Sequence, residues 1–458
     1  MRKLHFSRAL VEDAWLSDVL VEVEGTRIVS VTPHAARDAD ATVVPGLAVP
    51  GVANLHSHAF QRAMAGLTER RGSGEDSFWS WREVMYSCLA VLTPEDVQAI
   101  AAYAYAEMLE AGFTSVGEFH YLHHDASGSP HSDIAEMGGR IATAAAKTGL
   151  GLTLLPCFYA HGGCGGRAPA EGQRRFISSL DGFELLLTGA GRHVASSGLA
   201  DARLGLALHS LRAVAPGELA KLADAARRRE RPIHIHAAEQ QKEVEECLAW
   251  SGRRPVEWLL ENATIDARWC LVHATHMTDA ETAGLARSGA VAGLCPITES
   301  NLGDGIFPAT RFMAAGGRLG VGSDSNVRIS LASELRTLEY SQRLRDMRRN
   351  CLVPEGRSSG RMLLDAAARG GAQAIGRQAG ALRAGLLADI VVLDTGHPAL
   401  AGRSDDTALD TWLFAGGNEL VGEVWSGGRH VVTAGRHIAR DRLAPPFITV
   451  MRKLAATL

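Results

Sequence analysis

The sequence predicts an α/β protein, a (β/α)8 barrel over 49–380 that carries a small β-sandwich domain assembled from 1–48 and 381–458. Three observations predict it. First, eight short apolar runs (47–58, 113–121, 150–160, 204–211, 232–239, 269–276, 291–297 and 318–324) alternate with Ala-, Leu-, Glu- and Arg-rich stretches of helical length. Strands and helices alternating in this number close into a barrel more naturally than they spread into an open sheet. Second, strand-like texture recurs at both ends of the chain. Third, polar side chains collect at the C-terminal ends of the runs, where this barrel class keeps its active sites.

In chain order, Val19-Leu20-Val21-Glu22-Val23-Glu24, Gly25-Thr26 and Arg27-Ile28-Val29-Ser30-Val31 read as a hairpin with alternating faces. The first barrel run rises from Pro50-Gly51 and ends in His56-Ser57-His58. Side chains at i and i+2 of a strand share a face, so this ending aims two imidazoles at one spot, as two ligands of one metal ion require. A helix over 94–111 opens on Thr93-Pro94-Glu95, a cap followed by proline at the first helical position, and further helices are expected over 216–229 and 240–250. The fifth run reads Ile233-His234-Ile235-His236-Ala237-Ala238-Glu239, which puts His234 and His236 on one face with His236 nearer the mouth. The sixth ends Val272-His273-Ala274-Thr275-His276, with His276 on the face opposite His273, and the eighth ends Gly322-Ser323-Asp324. One histidine at a strand end is usually a hydrogen-bonded core residue; matching polar ends on four strands point to a shared site. Strand texture returns in Ala388-Asp389-Ile390-Val391-Val392-Leu393-Asp394 and over 420–432.

Bulk properties narrow the partners. A net charge of −4 over 458 residues leaves no basic footprint for nucleic acid. Seven cysteines at scattered positions give no disulfide framework and favour a reducing cytoplasm. No apolar stretch reaches membrane-spanning length, and the N-terminus lacks an apolar signal core.

Across essentially its whole length, including the entry Gly385-Leu386-Leu387-Ala388-Asp389 into the terminal strands, the chain resembles the amidohydrolase superfamily. That resemblance implies one divalent metal on His56, His58, His236 and Asp324, with Glu239, His273 and Asp324 catalytic. Three imidazoles and a carboxylate suit Zn²⁺ and also accommodate Fe²⁺ or Mn²⁺. Binuclear members carry a carboxylated lysine on the fourth strand. Between His58 and His236 this chain has only Lys147 and Lys221, both in helical contexts, so a mononuclear site is expected. His236-x-x-Glu239 matches the deaminase arrangement, in which a carboxyl beside the metal passes a proton to a leaving nitrogen.

Loop motifs carry the resemblance further. They are His56-Ser57-His58-Ala59-Phe60-Gln61-Arg62, Phe78-Trp79-Ser80-Trp81-Arg82-Glu83, Glu118-Phe119-His120-Tyr121, His209-Ser210-Leu211-Arg212 and the run from Cys295 to Phe307. Among deaminases these resemble enzymes of formimino amino acids, which implies substrate-binding roles for Gln61, Arg82, Tyr121, His209 and Arg212. Arg212 just past the fourth strand can hold a carboxylate in a bidentate pair, and Arg82 can meet a second. The expectation is a small dianionic amino-acid-derived substrate, N-formimino-L-glutamate, hydrolysed to N-formyl-L-glutamate and ammonia as in histidine degradation. Glu299 and Asn301 are expected to border the pocket, without an assigned role. The alternatives are a deaminase of a cyclic amidine such as guanine or a pterin, and a catalytically silent barrel acting in binding or assembly. A homodimer is the state such relatives commonly form.

Overall fold

The computed structural model describes residues 1–71 and 77–457. Two sheets organise it. The strands β1 (Arg2–Val11), β2 (Ala14–Glu24), β3 (Arg27–Thr32) and β4 (Thr42–Pro50) come from the N-terminal end. Next come β5 (Val52–Ser57), β6 (Phe113–His120), β7 (Gly151–Phe158), β8 (Arg203–Leu204), β9 (Leu206–Leu208), β10 (Ile233–Ala237), β11 (Trp269–His273), β12 (Val291–Leu294) and β13 (Arg318–Val321). The C-terminal end adds β14 (Ile390–Leu393), β15 (Val421–Ser426), β16 (Arg429–Thr433) and β17 (Arg436–His437).

The terminal strands hydrogen-bond into one eight-stranded sheet in the order β17-β16-β15-β14-β4-β1-β2-β3, so the two chain ends meet where β14 runs antiparallel to β4. The expected hairpin is the antiparallel pair β2–β3. Phe6, Val21, Val44, Ile390 and Trp425 help fill a core that belongs to this sheet. The helix Arg440–Ala455 follows β17 and packs back on the barrel helix Pro94–Glu110, stacking Phe447 on Tyr103 at 4.1 Å between ring centroids.

The barrel runs β5-β6-β7-β9-β10-β11-β12-β13 in parallel, with β8 beside β7. Every residue of β6 and β7 is buried, as expected for strands of a helix-covered parallel sheet. The seam between β13 and β5 closes at the mouth: His58 N–H donates to the Asp324 carbonyl at 2.9 Å, and Asp324 N–H to the His56 carbonyl at 3.0 Å. Gly322 permits this approach, since a Cβ there would stand 2.6 Å from the His56 carbonyl oxygen. Pro94–Glu110 starts as expected: the Thr93 side chain accepts from Asp96 N–H, and the Asp96 carboxylate accepts from Thr93 N–H.

At the opposite end, Ala374 and Ile375 plug the barrel. His234 bonds the Ala374 carbonyl at 2.8 Å, and Thr153 donates to the Ile375 carbonyl at 2.9 Å. There the two sheets are tied by a buried ionic cluster in which Arg377 lies 2.6 Å from Asp201 and Arg429 lies 2.8 Å from it. The barrel floor is thus closed, which leaves the mouth for chemistry.

Candidate active site

Alternation alone does not explain how His56 faces inward, because its neighbour Leu55 already belongs to the inner core. A register shift between Asn54 and Ser57 turns the strand end, so that His56 follows Leu55 into the interior. His56, His58 and His236 then converge, each offering a ring nitrogen within 4.8 Å of the others. His58 Nδ1–H points at the Phe119 carbonyl at 2.8 Å and His236 Nδ1–H at the His209 carbonyl at 2.9 Å, which leaves both Nε2 lone pairs facing the cavity. His56 has no such anchor; its ring packs edge-on against His58 and Phe119 at 4.6 and 5.0 Å.

Asp324 Oδ1 lies 3.5 Å from His56 Nε2 and 3.4 Å from His58 Nε2. These contacts are not ion pairs, because burial holds His56 at about 3, lowers His58 and lowers His236 well below the usual imidazole value. Burial works against charge on Asp324 as well, but the surrounding histidines keep it far below the ordinary carboxylate range. The Nε2 atoms of His56 and His236 are 3.1 Å apart. One proton would reconcile that pair alone, whereas a cation reconciles all four groups. Three neutral imidazoles and an ionised carboxylate therefore fit a divalent metal.

Beside this group stands His273, whose Nε2 is 3.8 Å from Glu239 Oε1 and 3.8 Å from Asp324 Oδ2. Burial opposes its charge, yet Glu239, Glu299 and Asp324 outweigh burial and raise it to about 10. Burial raises Glu239, with His273 and Arg212 pulling the other way. Glu243 holds the turn before this carboxylate, accepting from Ala238 and Glu239 N–H at 3.2 Å each.

Above them is a cavity with about 600 Å³ of empty space. Each residue given a metal, catalytic or substrate role from sequence lines it except His56, which lies beneath; Glu299 and Asn301, expected to border the pocket, are not among its lining residues. Gln61 donates to Tyr121 Oη at 2.8 Å. The Arg212 guanidinium is buried, with Nη2 3.7 Å from Glu239 Oε2 and Nε without a partner. Arg82 comes from the helix Phe78–Leu89, stacks over Trp79 and Tyr86 at 4.5 and 5.5 Å, and also has an unpartnered Nε. His209 stacks beside Tyr159 at 4.4 Å. Two cationic forks thus share one cavity with the candidate metal-binding group.

Several supporting residues were given no role from sequence. Asn326 donates to Ser57 Oγ and to the His58 and Asp324 carbonyls, at 3.0–3.1 Å, and so pins the seam under the metal group. The Glu118 carboxylate accepts from Ala59 N–H at 2.7 Å, and burial raises it to about 7. Glu299, given no role from sequence, contacts His273. Ala238, His273 and Asp324 have left-handed backbones, with φ of 52°, 65° and 46°. The sixth strand therefore stops at His273 rather than reaching His276, which lies instead 2.8 Å from Gln241 Nε2. His120, His123 and His124 form no metal group; His123 and His124 bond the Cys157 and Ile177 carbonyls.

Residues 47–431 match the amidohydrolase family profile. The formimidoylglutamate deiminase of Pseudomonas aeruginosa is 51% identical over 456 residues, covering 99% of this chain and 100% of its own. A 5-methylthioadenosine/S-adenosylhomocysteine deaminase of Natronomonas pharaonis is 28% identical, over 93% of this chain and 89% of its own. The crystal structure of an amidohydrolase from Brucella melitensis superposes with a TM-score of 0.94 at 49% identity, covering 99% of this chain and all of that one.

Proposed function

Since the chain belongs to the amidohydrolase family, we propose that it hydrolyses N-formimino-L-glutamate to N-formyl-L-glutamate and ammonia. The observation that carries this reading is the pair of guanidiniums, Arg82 and Arg212, facing the cavity whose floor is the metal-binding group. A substrate with two carboxylates and one formimino group complements that arrangement. Arg212 and His209 take one carboxylate; Arg82, with Gln61 and Tyr121, takes the other.

His56, His58, His236 and Asp324 would hold the metal, which we take to be Zn²⁺, with Fe²⁺ or Mn²⁺ suiting the same donors. A bound divalent ion of this kind supplies hydroxide at neutral pH by lowering the pKa of water. The protein's own groups do the rest. Asp324 accepts the proton released as water adds to the formimino carbon. His273 steadies the charge that develops there, and Glu239 delivers a proton to the departing nitrogen. The C–N bond breaks, a C=O bond forms and ammonia leaves. Protonation of the amidine makes its carbon electrophilic beforehand, so position and proton delivery are the main contributions.

A second reading, deamination of a cyclic amidine, draws support from the aromatic walls Phe78, Trp81, Tyr86, Tyr159 and Phe176. Phe78 lies 5.9 Å from the Arg212 guanidinium and Tyr86 beneath Arg82, so these rings already support cations. Ammonia release from N-formimino-L-glutamate, N-formimino-L-aspartate and guanine separates the readings. Turnover of the first well above the others is expected; turnover of guanine alone would overturn the proposal. Seven free, buried cysteines support a reducing cytoplasm. Among the described residues no helix is long and apolar enough to cross a membrane.

A further inference from the structure

We propose that Glu299 is a positioning residue that keeps a proton on His273 Nδ1 and thereby presents Nε2 to the reacting atoms. The argument starts at the backbone. His273 ends β11 with φ of 65°, so the strand no longer fixes where its ring points. Two other carboxylates, on Glu239 and Asp324, lie 3.8 Å from Nε2 and draw the ring's proton toward that side. One group opposes them. Glu299 Oε1 accepts from His273 Nδ1 at 3.2 Å.

That oxygen is itself held in place. It also accepts Cys295 N–H at 2.8 Å, a bond that ties the carboxylate to the end of the neighbouring strand β12. Glu299 is 5% exposed and His273 1%, so water does not compete for either. A carboxylate fixed at Nδ1 holds an N–H there in either charge state of the ring. The other nitrogen is then the one free to exchange a proton beside Glu239. Rotation of the ring by 180° about its χ2 axis would forfeit the Nδ1 bond. Glu299 thus selects both the protonation pattern and the ring orientation without touching substrate.

The inference rests on the deiminase reading for its kinetic test only; its spectroscopic test does not. The full chain, loaded with Zn²⁺ and labelled with ¹⁵N-histidine, is compared by NMR with His273→Asn to assign the ring. An exchange-protected Nδ1–H is expected in the wild type. Glu299→Gln should retain that signal, because the amide oxygen can accept both N–H groups. Glu299→Ala should lose it, with kcat lowered about 10- to 100-fold, KM held within about threefold and metal content unchanged. If Glu299→Ala does not fold, Glu299→Met is read the same way and the wild-type spectrum still decides. A wild-type His273 protonated on Nε2 alone, or an alanine variant that keeps the Nδ1–H signal and normal kcat, would overturn the proposal. Failure of the wild type to release ammonia from N-formimino-L-glutamate would sink the functional reading and leave the Nδ1 result standing.

Discussion

Replacing Arg212 with Met tests the link between this cavity and a dianionic substrate. Arg212 is 8% exposed, its Nε has no protein partner, and its nearest charge is Glu239 at 3.7 Å. A bidentate pair with a substrate carboxylate comprises two charge-assisted hydrogen bonds, each worth about 1.5–3 kcal/mol. Allowing for overlap between them, about 3–5 kcal/mol is at stake, or a loss of roughly 150- to 5,000-fold in kcat/KM. The pair exists in the ground state as well as the transition state, so most of the loss should appear in KM. A second effect has a definite sign. Arg212 is among the charges that pull Glu239 down against burial, so its removal raises Glu239 further and, since Glu239 acts as the proton donor, moves the alkaline limb of the rate profile to higher pH.

The assay is ammonia release from N-formimino-L-glutamate and from two analogues, N-formimino-2-aminobutanoate and N-formimino-4-aminobutanoate, each lacking one carboxylate. The analogue that lacks Arg212's partner should be poor for the wild type and no poorer for Arg212→Met, since the lost contact cannot be lost twice. Losses that multiply for both analogues, or a variant within about fivefold of the wild type on the full substrate, would refute the assignment.

Three further outcomes follow from the same geometry. Glu239→Gln should bind metal normally and lose about 10²- to 10⁴-fold in kcat, checked by metal analysis beside turnover; near-normal turnover would remove its proton-transfer role. Dialysis against a chelator should abolish turnover, and His236→Ala should fail to regain it with Zn²⁺, Fe²⁺ or Mn²⁺ while its far-ultraviolet circular dichroism stays native. Burial opposes ionisation of Asp201, but Arg377 and Arg429 bring it from 3.8 down to about 2. Its stabilisation is therefore complete above pH 4 and lost as pH falls through 2. At 1.36 kcal/mol per pH unit, that interval is worth roughly 2 kcal/mol. Urea unfolding at stepped pH should show the gap between wild type and Asp201→Asn narrowing over that window.

The barrel was legible because parallel strands covered by helices are buried on both faces, so β7 stands out as a largely apolar run, while β6 keeps Thr114, Ser115, Glu118 and His120 among its apolar residues. The convergence of the candidate metal ligands was legible because a divalent cation demands particular side-chain types, and His56, His58, His236 and Asp324 sit at strand ends that meet at the mouth. Where the chain leaves ideal strand geometry, residue type stops being informative. The fourth strand splits at Gly205, where a Cβ would stand 2.4 Å from Leu155, and no apolar pattern marks that break. The helix Arg440–Ala455 lay inside a stretch expected to be β, and it contains Pro445 and Pro446, which obscure its helical pattern.

The least legible features lie closest to the chemistry, for a physical reason. Ala238, His273 and Asp324 adopt left-handed backbones that cost non-glycine residues on the order of 1–2 kcal/mol each. Such conformations persist only where other contacts over-determine them. The structure supplies those contacts through Glu243 under Ala238 and Glu239, Glu299 beside His273, and Asn326 across the seam at Asp324. Each is a polar residue whose partner is a backbone group or a ring nitrogen brought near by the fold. In the linear chain such a residue looks like any helix-start glutamate or loop asparagine. A reading from residue types therefore finds the candidate ligands and charged groups that line the cavity, and passes over those that hold the strand ends in shape.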